Sequence, residues 1–285
     1  TTTRSRFVEL PHSMSGFLFS LLILLACGYM GLSWHFLAHW RGVASWQRQP
    51  VSEHSLLGIL LLMHAAILAM PVLHDGGVRL GVGSVLSLLS WIMLLIFWTG
   101  SYFARMEGLQ IFLVPLAAIG ILMAEVLPIP HTLYAIDNLA FMLHLLVSLL
   151  AYSLFAIGAM LAVLMLVQER ALHHRRFALA RQMPPLLVLE NLMFQTLGTG
   201  FILLTFSLAS GVFFAEEVFG RAVPLSHKVI FGFLSWLVFG SLLVGRKMHG
   251  WRGRLAIRWT LAGFALLLFG YIGSKIVLEF VLHRY

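Results

Sequence analysis

The stretch LAFMLHLLVSLLAYSLFAIGAMLAVLMLV, residues 139–167, contains no Asp, Glu, Lys or Arg. An uncharged apolar run of this length predicts a membrane-spanning helix, because about 20 such residues already cross the hydrocarbon core of a bilayer. Three of its polar members, His144, Ser148 and Tyr152, are spaced by four residues and therefore lie on one side of the helix. Such a polar stripe favours contact with other helices or with a cavity over contact with lipid.

The composition of the whole chain indicates the same class of protein. Of the 285 residues, 60% are hydrophobic and only 11% are charged, which is typical of multi-pass membrane proteins. The formal net charge of +8 does not indicate nucleic-acid binding, since the positive-inside rule alone produces an excess of Lys and Arg. Cys27 is the only cysteine in the sequence, so neither a disulfide within the chain nor a cysteine metal cluster is expected.

Further apolar runs predict an all-α, polytopic membrane helix bundle that forms a single integral membrane domain over residues 1–285. The spans are expected to be helices because lipid offers no partners to unpaired backbone groups. The sequence predicts about eight transmembrane helices, at about 15–37, 54–72, 81–100, 109–127, 139–167, 190–213, 228–245 and 256–280.

The distribution of basic residues predicts the orientation of these spans. Lys and Arg are more frequent in the loops after spans one, three, five and seven, above all in 168–189 and 246–258. The positive-inside rule therefore puts these loops in the cytoplasm and both termini outside, in a multi-pass protein of the bacterial cytoplasmic (inner) membrane. His173 and His174 lie among arginines in the first of these loops, where a solvated basic loop explains them better than a metal or phosphate site.

Three histidines are candidate ligands. His64 lies midway along the second span, where a neutral imidazole suits either a haem iron or a helix–helix hydrogen bond, and position alone does not decide between them. His144 and His283 are remote in sequence, yet the predicted topology puts both at the outer face. They could bind one iron from both axial sides if spans five and eight are neighbours. Zinc is less favoured, because it usually needs a third or fourth protein ligand.

Several segments are similar to one family of membrane proteins. They are LHLLVSLLAY (143–152), MPPLLVLENLMF (183–194), GVFFAEEVFGRAVPLSHK (211–228) and GWRGRLAIRWTLAGF (250–264). From the second span onward the chain resembles the cytochrome c assembly family of the CcsA and HemX type. Within that family it is most similar to the YpjD-type inner-membrane branch.

The resemblance implies a haem-binding site at the outer face, with two external histidines flanking a tryptophan-rich loop. His144 matches the first external histidine, His283 is similar to the second, and His64 matches an intramembrane histidine. The loop departs from the family pattern, since Phe214 and Phe219 stand where the haem-handling branch carries tryptophans. Phenylalanine keeps an apolar ring but lacks the indole N–H donor, so this loop could also cover a different or smaller ligand.

These features together predict a non-enzymatic, haem-binding membrane protein that is related to cytochrome c assembly factors. Haem b would be held by His144 and His283 as axial iron ligands, with His64 as an inner site or support and Phe214 and Phe219 in the covering loop. The sequence shows no nucleophile–base pair and no phosphate-cradling loop that would indicate an enzyme. The alternatives are a scaffold or regulatory subunit of a membrane complex, and a permease for another solute. The expected partners are the lipid bilayer and other cytochrome c assembly or membrane proteins, but not nucleic acid.

Overall fold

Nearly all of the chain that the structure describes is helical. The structure is a computed structural model, and it describes residues 12–75, 77–78, 81–104, 106–127, 134–135, 139–174, 183–213 and 227–270. The helices in these ranges are α1 (His12–Trp40), α2 (Pro50–Asp75), α3 (Val82–Gly100), α4 (Gln110–Val126), α5 (Leu139–His173), α6 (Leu186–Phe213), α7 (His227–His249) and α8 (Arg254–Leu268). Two short strands, β1 (Gly77–Val78) and β2 (Tyr134–Ala135), form one antiparallel pair.

The prediction of an all-α, polytopic membrane bundle is confirmed. Six of the described helices are long and apolar enough to cross a membrane, at Phe19–Trp40, Pro50–Leu73, Val82–Gly100, Leu139–His173, Leu186–Val212 and Val229–His249. The fourth predicted span corresponds to α4, which is apolar but contains only 17 residues. Residues 1–11 and 271–285 lie outside the described residues, so the placing of both termini and the end of the eighth span stay predictions.

Five of the described helices, α1, α2, α5, α6 and α7, are longer than the spans that the sequence predicts, and α5 and α2 show why. α5 continues beyond Val167 to His173, because the residues after Val167 include good helix formers such as Gln168, Glu169 and Arg170. Charge ends a membrane span at the edge of the hydrocarbon, but it does not end a helix. α2 begins earlier than predicted, at Pro50, a residue type that is common at the first position of a helix.

The long helix α5 lies at the centre of the bundle. It packs along α6 and also contacts α3 and α8, while α3 packs on α4 and α4 on α1. Phe155 of α5 stacks on Phe239 of α7 with 4.0 Å between the ring centroids, and both rings are fully buried. The contact between α5 and α8 shows that spans five and eight are neighbours, which is the condition that an axial pair of histidines from these spans requires.

α2 is attached to the bundle by a narrow buried apolar face and by polar contacts. Only 22% of its membrane span is buried within the protein, the smallest share among the six spans. The indole N–H groups of Trp91 and Trp98 on α3 donate hydrogen bonds to the backbone carbonyls of Leu61 and His54 on α2, at 2.9 and 3.0 Å. These bonds hold α2 against α3 and leave its opposite face to lipid.

The basic helix ends of the second half of the chain meet at one end of the bundle. Arg246 of α7 lies 3.5 Å from Glu190 of α6, and Arg254 of α8 donates to Glu169 of α5 at 2.8 Å. We call this region, formed by residues 169–190 and 246–254 where they are described, the basic end. It corresponds to the side that the charge distribution predicts to be cytoplasmic.

Gly263 of α8 allows a close approach to α7. A Cβ atom at this position would lie 2.8 Å from the ring of Phe239, which is held by its stack on Phe155. We therefore expect Gly263→Ala to lower the free energy of unfolding by about 1–3 kcal/mol, because added volume in a packed core forces side chains or backbone to shift. Thermal unfolding of the purified protein in detergent measures this change.

Gly198→Ala on α6 is the matched control, since a Cβ atom there would meet no other atom within 4 Å. This variant should keep or slightly raise the melting temperature, because alanine stabilises a helix relative to glycine. Equal melting temperatures for the two variants would contradict a tight contact at Phe239.

Candidate functional site

The half of the α5–α6 contact that is remote from the basic end carries a line of polar groups. His144 Nδ1 lies 2.8 Å from Ser210 Oγ, and Ser148 Oγ lies 2.6 Å from Ser207 Oγ. His144 and Ser148 belong to the start of α5, whereas Ser207 and Ser210 belong to the end of α6. We call these four residues the α5–α6 polar seam. The polar stripe of the 139–167 stretch therefore faces a neighbouring helix.

The hydrogen bonds of the seam suit one neutral tautomer of His144. Ser210 Oγ can donate its proton to the backbone carbonyl of Ser207 at 3.1 Å and accept from the imidazole at 2.8 Å. In this arrangement Nδ1 of His144 carries the ring proton, and Nε2 keeps its lone pair. No residue in the described part of the chain is hydrogen-bonded to Nε2. A neutral imidazole anchored through Nδ1–H is the arrangement that metal-binding histidines use.

The hydroxyl groups of Ser148 and Ser207 also have defined hydrogen-bond partners. Ser148 Oγ donates to the carbonyl of His144 at 2.6 Å, so Ser207 Oγ must be the donor in the contact between the two serines. Gly211 gives the imidazole room, because a Cβ atom there would lie 3.3 Å from Cε1 of His144. The ring is therefore oriented by one hydroxyl and accommodated by a position without a side chain.

His64 is fully buried and has a partner for each ring nitrogen. Nε2 lies 2.9 Å from Ser87 Oγ on α3, and Nδ1 lies 3.3 Å from the hydroxyl of Tyr29 on α1. Of the two alternatives for this residue, the helix–helix hydrogen bond is the one present in this geometry. Iron binding by His64 would require one of these hydrogen bonds to break, and it stays a prediction.

The remaining predicted site residues lie outside what the structure describes. They are His283 near the C-terminal end of the sequence and the loop residues Phe214 and Phe219. The joint binding of one iron by His144 and His283, and the covering role of the two phenylalanines, therefore stay predictions.

Sequence reasoning found the α5 side of the seam and missed the α6 side. Ser207 and Ser210 lie in the segment FSLASG (206–211), and their spacing of three puts them on one face of α6. Two serines followed at once by Gly211 are a signal for close polar contact between membrane helices. The spacing does not reveal which helix the serines face, so the pairing with His144 required the fold.

Comparison with known proteins places most of the chain in one family model, that of the cytochrome C assembly protein, which matches residues 53–282. The inner membrane protein YpjD of Escherichia coli (strain K12) is 28% identical over 225 residues, which cover 78% of this chain and 85% of that protein. The cytochrome c biogenesis protein CcsA of Guillardia theta is 30% identical over 148 residues, 46% of this chain and 49% of that protein. The CcsA protein of Prochlorococcus marinus is 36% identical over 97 residues, 34% of this chain and 30% of that protein. The matched range includes His64 and His144 and ends just before His283.

Removal of the Ser210 hydroxyl should allow the His144 ring to exchange between its two neutral tautomers. In Ser210→Ala the Nδ1–H group loses its acceptor, so we expect the ring to exchange between its two neutral tautomers. Nitrogen NMR of histidine-labelled protein distinguishes the two forms by the chemical shifts of the ring nitrogens. Ser33→Ala is the control, because Ser33 Oγ donates to the carbonyl of Tyr29 within α1 at 2.7 Å and contacts no histidine among the described residues. An unchanged His144 signal in Ser210→Ala would contradict the assigned hydrogen bond.

Replacement of His64 by leucine tests its role as a helix partner. The change leaves the hydroxyls of Tyr29 and Ser87 without the imidazole, and we expect the free energy of unfolding to fall by about 1–3 kcal/mol. His174→Leu, at an exposed position, should leave thermal unfolding unchanged. Unaltered stability of His64→Leu, together with a changed haem spectrum, would show that His64 is a ligand instead.

Proposed function

Because the chain belongs to the cytochrome c assembly protein family, we propose that it binds haem and passes it on during cytochrome c assembly, as a multi-pass inner membrane protein that is not itself an enzyme. The names of its relatives support this proposal, since one is called an inner membrane protein and others are called cytochrome c biogenesis proteins. The six apolar helices supply the membrane anchor. The scaffold and permease alternatives are not favoured by these findings.

The state of His144 is the observation that carries the proposal. Its Nδ1–H group is tied to Ser210 Oγ, and its Nε2 lone pair is not used by any described residue. A haem iron takes a neutral imidazole nitrogen as an axial ligand. Ser210 would hold the ring in its ligand tautomer, in the way that a hydrogen-bonding partner orients the histidine of a metal site. The chemistry of this donor therefore fits haem.

The position of the seam supports a site at the end of the bundle opposite the basic end. α6 ends at Phe213, shortly after Ser210 and Gly211, so the loop with Phe214 and Phe219 follows directly in sequence. In our proposal these two rings cover the porphyrin by apolar contact, and His144 and His283 would hold the haem iron. When bound, haem b would supply an iron that binds imidazole nitrogens. His64 supports the site through its bonds to α1 and α3.

The visible absorption spectrum of the purified protein tests the proposal. The wild-type protein loaded with haem should show a Soret band, and a pyridine haemochrome assay should identify the porphyrin as haem b. We expect His144→Ala to lose most of this absorbance, because no ring nitrogen remains to bind the iron. His144→Gly should regain the band when free imidazole is added, because the small ligand can occupy the vacated volume.

His174→Ala is the control for the loss of a histidine, since its imidazole is exposed and lies at the basic end. It should bind as much haem as the wild type. A wild-type protein that folds but takes up no haem would overturn the proposal, and so would equal haem content in His144→Ala and His174→Ala.

A further inference from the structure

A cavity outside the α5–α6 polar seam lies where the end of α1, the connection between α1 and α2, and the start of α4 meet. It has a volume of about 250 Å³, and its polar walls are His39, Trp40, Arg48 and Gln110. Gly108, a further wall residue, packs against Leu164 in the second half of α5, which leads to the basic end. The cavity is therefore on the side of the bundle where the basic loops lie, far from His144.

His39 is held at the wall of this cavity by two backbone carbonyls. Its Nδ1 lies 2.9 Å from the backbone carbonyl of His35, and its Nε2 lies 2.9 Å from the backbone carbonyl of Trp46. These contacts fix the position of the ring in the cavity wall.

Arg48 contributes a positive charge with a fixed position. Its Nη2 donates to Glu53 Oε2 at 2.6 Å, and its Nε lies 3.2 Å from both carboxylate oxygens. Glu53 also accepts from His35 Nε2 at 2.9 Å and is buried, so its carboxylate is already used on two sides. Among the described residues, none accepts a hydrogen bond from Nη1 of Arg48, whose side chain is 41% exposed. The guanidinium is thus oriented by Glu53 but keeps a donor for a ligand.

Two further donors belong to the same walls. The indole Nε1–H of Trp40 is buried and has no hydrogen-bond partner in the described part of the chain. A buried donor without an acceptor costs free energy, which a ligand oxygen would recover. Gln110 is buried and its Oε1 accepts from the backbone N–H of Gly108 at 2.9 Å, which leaves its amide N–H groups as the donor end.

The charged residues near the cavity are compatible with an anionic ligand. Arg41, in the connection between α1 and α2, is exposed and adds positive charge. Glu107, next to Gly108, is exposed as well, so solvent and salt screen its charge more than the charges in the cavity wall. Trp46 and Tyr102 lie near this end of α1 and α3, and such aromatic residues are typical of the headgroup level of a membrane.

We propose that this cavity is a binding site for a phosphate group, with Arg48 supplying the charge and Trp40 a hydrogen bond. Phosphate offers several acceptor oxygens and negative charge, which is what a guanidinium with neighbouring donors recognises. At this depth, the phosphate can belong to the headgroup of an acidic phospholipid, or it can be a free phosphate ion from the aqueous phase.

Two measurements on the full chain distinguish these sources. In the first, the protein is extracted from nanodiscs that contain phosphatidylcholine with or without phosphatidylglycerol, and retained lipid is counted by native mass spectrometry. In the second, inorganic phosphate is titrated in detergent and the melting temperature is followed, because a ligand that binds only the folded state raises it. Retention of phosphatidylglycerol indicates a lipid site, whereas stabilisation by inorganic phosphate alone indicates a free-ion site.

Three variants locate the binding. Arg48→Gln should weaken retention or stabilisation by about tenfold or more, since it removes a charged donor. Trp40→Phe keeps the ring and removes only the N–H group, so about three- to tenfold weaker binding is expected. Arg41→Gln removes an exposed arginine that is not a wall residue, and it should bind like the wild type.

If Arg48→Gln leaves Glu53 without its partner and fails to fold, Trp40→Phe still tests whether the cavity binds phosphate. The proposal is overturned if the wild type binds neither phosphatidylglycerol nor inorganic phosphate. It is also overturned if Arg41→Gln weakens binding as much as Trp40→Phe does, since binding would then reflect surface charge alone.

Discussion

Polar side chains within the hydrocarbon must find their partners on neighbouring helices, because lipid offers none. In this protein that constraint determines several of the helix contacts. His64 joins α2 to both α1 and α3, and the α5–α6 polar seam joins the two helices that share the largest contact. Apolar side chains gain little by leaving lipid for another helix, so they fill these contacts more than they select them.

The two ends of the bundle differ in chemistry for the same physical reason. At the basic end, Glu190 is close to Arg246 and accepts from the backbone N–H of Gly253, so one carboxylate connects α6, α7 and the start of α8. The guanidinium of Arg246 also lies 3.6 Å from the ring centroid of Phe194. Several arginines there are paired with carboxylates. At the opposite end the seam consists of an imidazole and three hydroxyl groups, which suits the binding of a metal centre through the imidazole.

Much of the fold could be predicted from the sequence because membrane spans are encoded locally. Long uncharged runs indicate helices, and the arginines of 168–189 and 246–258 indicate one side of the membrane. His144 could be identified as a candidate because a polar stripe on an apolar helix must face a partner. Ser207 and Ser210 could not be identified as its partners, since the register of two helices depends on the packing of the whole bundle.

The same limit applies to the cavity near α1. His39 and Arg48 are ordinary loop and helix-end residues in the sequence, and nothing in their spacing predicts that two carbonyls enclose the imidazole. That arrangement depends on the path of the chain between α1 and α2. Contacts between residues that are close in sequence but separated by an irregular connection are set by tertiary structure.

The attachment of α2 has a mechanical consequence. Besides a narrow buried apolar face, this helix is held by indole-to-carbonyl bonds from Trp91 and Trp98. Such bonds are short-ranged and directional, so they are either formed or lost when the helix moves by an ångström or so. Displacement of α2 would therefore break these bonds in discrete steps rather than as a smooth expansion, and each step would leave an indole N–H without its acceptor.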